Sequence, residues 1–265
     1  MRYRDYSPIP EKEGQLTFSD RLNGMLKYGL SWPKEMESQR VVVDYLKRHL
    51  DNRFTLLRNL LLPDANITLP LLLVGPQGIT LINPTPTQGV FSAKEGTWQI
   101  NMARGYQPAT PNWLQRTQLL AKAVNIFLER KDITLVEAEA VLVFTHPGTH
   151  VDTNRPIVRV LLVDALSRFA AGLSQAQPRL SGEEIYNLVH VLTSSAEAEE
   201  EVIDPVKVPQ QLSAAPVRPS RFEQSLDPLQ KTFNFDRKQW LILAALTAGI
   251  VVILMVFLLF ILLFA

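Results

Sequence analysis

Leu69–Gly89 reads LPLLLVGPQGITLINPTPTQG. Leu69–Val74 is an unbroken apolar run of strand length, and Ile79–Ile82 is a second one. Between them, Gly75-Pro76-Gln77-Gly78 carries turn chemistry: two glycines free to take positive φ and a proline suited to the first corner of a turn. The spacing therefore predicts two buried strands joined by a tight turn.

Outward from this hairpin the pattern alternates between helix and strand. Pro33 opens a predicted helix to about Leu50, with Val42, Val43, Leu46 and Leu50 as its apolar stripe. Phe54–Leu62 predicts a strand that leads into Pro63-Asp64. Beyond Gly89, Val90–Ser92 and Trp98–Ile100 flank Lys94-Glu95-Gly96 as a hairpin with Trp98 in the core. Tyr106–Pro111 reads as a loop, and Asn112 caps a helix to about Arg130. Val136–Thr145 and Pro156–Val160 predict strands, and Ser167–Leu173 a helix. Ser181-Gly182-Glu183-Glu184 forms a capping box, and the helix it opens closes the domain near Thr193. A short helix over Phe18–Leu30 stands before the main body.

The strand, V-G-P-x-G turn, strand and following Gly89, with Trp98 beyond them, resemble the centre of the nuclease-related domain (NERD) family of the restriction-endonuclease-like superfamily. The resemblance spans roughly residues 35–175. It implies an α/β fold with a mixed central sheet flanked by helices. It also implies a Mg²⁺-dependent site built from an aspartate opening the first strand, a Glu-x-Lys closing the second, and a glutamate on the preceding helix. In this chain those positions hold Pro70, Asn83, Thr85 and Gln39. None supplies the anionic oxygen or the ammonium that metal-assisted phosphodiester cleavage needs. Gln115, shortly after Pro111-Asn112, matches a family glutamine near the active site and is the one polar motif position retained. The resemblance with these losses implies a pseudoenzyme, with no catalytic residue, no metal and no cofactor. An active nuclease remains open if acids such as Asp64 and Glu95 have moved into the role. His146, His150 and Asp152 have H-x₃-H-x-D spacing, which on a loop carries little weight as a metal site.

The chain has 265 residues, a net charge of +1 and no cysteine, which excludes disulfides, zinc knuckles and a thiol nucleophile. Its basic residues, among them Arg53, Arg58, Arg104, Arg116 and Lys122, are scattered, so a nucleic-acid track has weak support. From Ser194 the composition turns acidic, with Glu197, Glu199–Glu201 and Asp204, and then proline-rich, as in a tether. Leu241–Ala265 carries no charge, and eighteen of its residues are Leu, Ile, Val or Phe. At the helix centre these sum to roughly −5 to −10 kcal/mol of insertion free energy. Lys231, Arg237 and Lys238 precede the run, with Trp240 at interface depth, so the positive-inside rule puts the preceding domain in the cytoplasm.

The expected organisation is an N-terminal extension (1–30), the α/β domain (31–193), an acidic and proline-rich linker (194–236) and a single-pass C-terminal membrane anchor (237–265). The partners this implies are the bilayer and a protein at the cytoplasmic face. Ala244, Ala245, Ala248 and Gly249 would permit close helix packing, so a membrane-complex subunit assembled through its span is a third reading.

Overall fold

The computed structural model describes residues 1–9, 16–133 and 137–200. The linker from residue 201 onward and the predicted anchor lie outside the described residues, and among those described no helix is long and apolar enough to cross a membrane. In chain order the elements begin with β1 (Arg2–Asp5), α1 (Phe18–Tyr28), α2 (Trp32–His49), β2 (Thr55–Leu62), β3 (Ile67–Gly75) and β4 (Gly78–Thr85). They continue with β5 (Val90–Lys94), β6 (Thr97–Met102), β7 (Gly105–Pro108), α3 (Trp113–Glu129) and β8 (Glu139–Phe144). The last are β9 (His150–Asn154), β10 (Arg159–Leu162), α4 (Leu166–Gln175) and α5 (Gly182–Glu200).

A six-stranded sheet has the order β1-β2-β3-β4-β8-β10. β2, β3 and β4 are antiparallel neighbours, whereas β1 on β2, β8 on β4 and β10 on β8 are parallel. The mixed α/β class is therefore as expected. Leu56, Leu71 and Leu73 pack towards α2 and α4, and Leu57, Leu72 and Val74 towards α3 and α5. Both faces of the sheet are covered, which is why β3 reads as a continuous apolar run rather than an alternating one. A smaller sheet, β7-β6-β5-β9, joins the larger one through Phe91, Trp98 and Phe144, whose rings stack with centroids 4.6–5.9 Å apart.

The hairpin at Gly75–Gly78 forms with Val74 opposite Ile79. Gly78 takes φ +127°, as expected, but Gly75 serves a different purpose. A Cβ there would lie 2.3 Å from the ring of Phe54, which is fully buried. Gly75→Ala is expected to lose about 1–3 kcal/mol by overpacking. Urea denaturation checks this, and Phe54→Leu in the same chain should restore part of the loss.

Three readings are corrected. Within the N-terminal extension, Arg2–Asp5 is part of the large sheet: β1 lies beside β2, with Arg2 opposite Thr55. Tyr106–Pro108, the first part of the stretch read as a loop, belongs to strand β7, and His150–Asn154 adds β9 beside β5. α5 does not stop at Thr193 but continues to Glu200, so the acidic run begins inside the helix. Asn112 does cap α3, accepting from the Gln115 N–H at 3.1 Å. The Ser181–Glu184 box closes as read.

Candidate functional site

Two prolines shape the centre of the large sheet. Pro70 has no N–H, and the β2–β3 ladder passes from Arg58 opposite Leu71 to Leu60 opposite Leu69, skipping Asn59 opposite Pro70. Freed from the ladder, Asn59 takes a left-handed conformation, φ +52°. Pro84 acts on the other side of β3. The carbonyl of Thr85 accepts from the Thr145 N–H, on the β8 side of the strand. Peptide groups alternate along a strand, so that of Pro84 faces β3, where it has no hydrogen to give. The β3–β4 pairing accordingly ends at Leu71 opposite Ile82, while β4 continues beside β8 to Thr85. The strands part where Pro70 and Asn83 would have met.

Around this parting the structure gathers Gln39, Pro70, Asn83 and Thr85. All but Pro70, which is half-buried, are buried. On one side, the Gln39 amide donates to Asn59 Oδ1 at 2.9 Å and accepts from Arg58 Nε at 2.8 Å. Arg58, 2% exposed, also donates to Asp5 Oδ2 at 3.2 Å and to the Met36 carbonyl at 3.1 Å. Asn59 Nδ2 donates to Ser7 Oγ at 2.6 Å, and the Tyr3 hydroxyl to Asp5 Oδ2 at 2.7 Å. Burial first, and the Asp5 carboxylate second, push the Tyr3 phenol well above its usual range, so it stays a proton donor at any ordinary pH.

On the other side the groups are uncharged. Asn83 Nδ2 donates to Thr117 Oγ1 at 2.9 Å, and Thr117 donates to the Trp113 carbonyl at 2.8 Å. Thr85 and Thr87 share a hydroxyl bond at 2.7 Å. Thr145 Oγ1 donates to Ser38 Oγ at 2.9 Å, and Thr149 Oγ1 to the Thr87 carbonyl at 2.8 Å. These amides and hydroxyls are bonded to neighbouring hydroxyls or backbone carbonyls.

Gln115 is exposed on α3; the residue of that helix that reaches Asn83 is Thr117, two positions on. Glu95 is exposed at the β5–β6 turn of the smaller sheet, and Asp64 belongs to the turn between β2 and β3 of the larger one. Among the described residues no group of three His, Asp or Glu is placed to hold a metal ion, so His146, His150 and Asp152 do not converge. Arg58, Asn59 and Thr117 were missed from the sequence. The signal for the first two was present: a cation and an amide side by side inside TLLRNLLL, where a buried strand needs neither.

A separate cavity of about 470 Å³ lies between β1 and α5, with Arg2, Arg4 and His190 beside Ile185, Tyr186 and Val189. None of the residues lining it is acidic. Arg53, also on its wall, is paired with Asp51 at 2.8 Å and holds that carboxyl below its usual range. Such a lining suits an anion with an apolar body. Comparisons with protein-family models, with curated proteins and with solved structures found no match for the chain.

Proposed function

We propose that the chain is a membrane-anchored, nuclease-like domain that has lost its catalytic positions and acts as a binding or scaffolding module at the cytoplasmic face. One observation carries this reading. Gln39, Asn83 and Thr85, where the family resemblance asks for two carboxylates and a lysine, are buried and hydrogen-bonded to neighbouring side chains. A divalent cation needs hard anionic oxygens, and amide and hydroxyl groups already committed to one another do not supply them. The mixed sheet flanked by helices, with these positions gathered where β3 and β4 part, supports the reading. The anchor and its orientation rest on the uncharged run 241–265 and the cations before it.

The test is a cleavage assay. The full chain, purified in mild detergent, is incubated with double-stranded DNA, single-stranded DNA and RNA in Mg²⁺ and then in Mn²⁺. The expected result is no cleavage above a protein-free control. Metal-dependent cleavage that disappears on Asp64→Asn or Glu95→Gln would establish relocated acids and retire the pseudoenzyme reading.

A further inference from the structure

The short helix α1 points to a second membrane contact. Gly24 fixes how α1 docks: it is buried against Trp32 of α2, and a Cβ there would lie 2.1 Å from the indole ring. On the other side of α1, Leu22 and Met25 are half-buried, and Phe18 and Leu26 are exposed. At 100° per residue Phe18, Leu22 and Leu26 fall within a sector of about 80°, with Met25 beside it. Phe18 is 84% exposed, Leu26 59%, and Leu30, just past the helix, 84%. Isolated apolar residues on a surface are ordinary, but a stripe of large side chains along one helix is not.

We propose that this stripe lies on the lipid surface to which the C-terminal run anchors the chain. The proposal rests on the anchor reading above and extends it to a second point of contact. Arg21 and Lys34 are exposed beside the stripe, near Met25 and Leu30, as cations bordering an interfacial helix are, with phospholipid phosphates as their partners. The nearby carboxylates are engaged within the protein: Asp20 in the capping box with Thr17, Glu35 with Ser31, and Glu37 with Arg40. Thirty-six residues, 201–236, separate α5 from the predicted anchor. As the tether that their composition predicts, they would span on the order of 30–36 Å, and a contact too weak to recruit a free protein would then suffice.

The chain contains no cysteine, so single labelling sites are unambiguous. The full chain is reconstituted in vesicles of three parts phosphatidylcholine to one part phosphatidylserine. An environment-sensitive NBD label is placed at Leu26→Cys, at Leu119→Cys on the exposed side of α3, or at Leu258→Cys in the predicted anchor. The Leu26 label is expected to shift to the blue and to resist aqueous iodide, while the Leu119 label stays quenchable. Phe18→Glu, at an exposed position on the same stripe, should return the Leu26 label to water. A quenchable Leu26 label overturns the proposal, as does a shielded label that Phe18→Glu leaves unchanged. The Leu258 label reports separately on the anchor, so failure of the stripe and failure of the anchor are told apart.

Discussion

Replacing Arg58 with methionine is expected to cost about 1–3 kcal/mol of folding stability for each buried acceptor it leaves unpaired, Gln39 Oε1 and the Met36 carbonyl. The guanidinium is 2% exposed and joins three elements: Gln39 and the Met36 carbonyl on α2, Asp5 on β1, and its own strand β2. Methionine fills much of the volume but offers no donor. Gln39 Oε1 and the Met36 carbonyl then lose a partner away from water, and Asp5 loses its cation. Arg58→Lys keeps the charge but not the planar fork that reaches several acceptors, so it should fall between the wild type and methionine. Asp5→Asn in the Arg58→Met background should cost far less than it does alone, because the carboxylate it removes is already unpaired. Urea denaturation of the wild type and the four variants measures all of this. Additive losses would mean that Arg58 and Asp5 do not act as a unit.

Thr85→Lys is the second large effect, with an expected loss of at least 3 kcal/mol or failure to fold. Thr85 is fully buried among hydroxyls, and an ammonium there meets neither water nor a carboxylate. Asn83→Glu alone should be nearly as costly, since it replaces the amide that donates to Thr117. Residues two apart on a strand share a face. The double variant should therefore recover about 1–3 kcal/mol of the summed losses through the new pair, read as the coupling in a double-mutant cycle. If Thr85→Lys folds with a loss below about 1 kcal/mol, the site admits water and the picture of a closed neutral cluster is wrong.

The parts of the fold legible in sequence were those with strong local chemistry. The Gly-Pro-x-Gly punctuation after an apolar run located the hairpin, and Asn112 and the Ser181–Glu184 box located two helix starts within a residue. The strands that escaped notice, β1, β7 and β9, are edge strands of four or five mostly polar residues. Edge strands of this kind bury little and need no apolar alternation, so periodicity cannot find them. β1 draws its stability from β2, about fifty residues later in the chain, a relation no local window contains. The site divides the same way. Gln39, Asn83 and Thr85 were found by position, whereas their partners Arg58, Asn59 and Thr117 depend on which strand faces which helix. Gln115 holds the matching position in sequence, but α3 turns it outward as an ordinary exposed helix glutamine and turns Thr117 inward.

The prolines of β3 and β4 give the middle of the sheet a permanence that hydrogen bonds alone could not. A hairpin of ordinary residues can add or shed rungs as it breathes, and a gap between its strands is then one state among several. Here the next β3–β4 rung lacks the hydrogen that Pro84 cannot carry, and no change of pH, ligand or rotamer restores it. The opening is thus written into the backbone itself, whatever side chains border it.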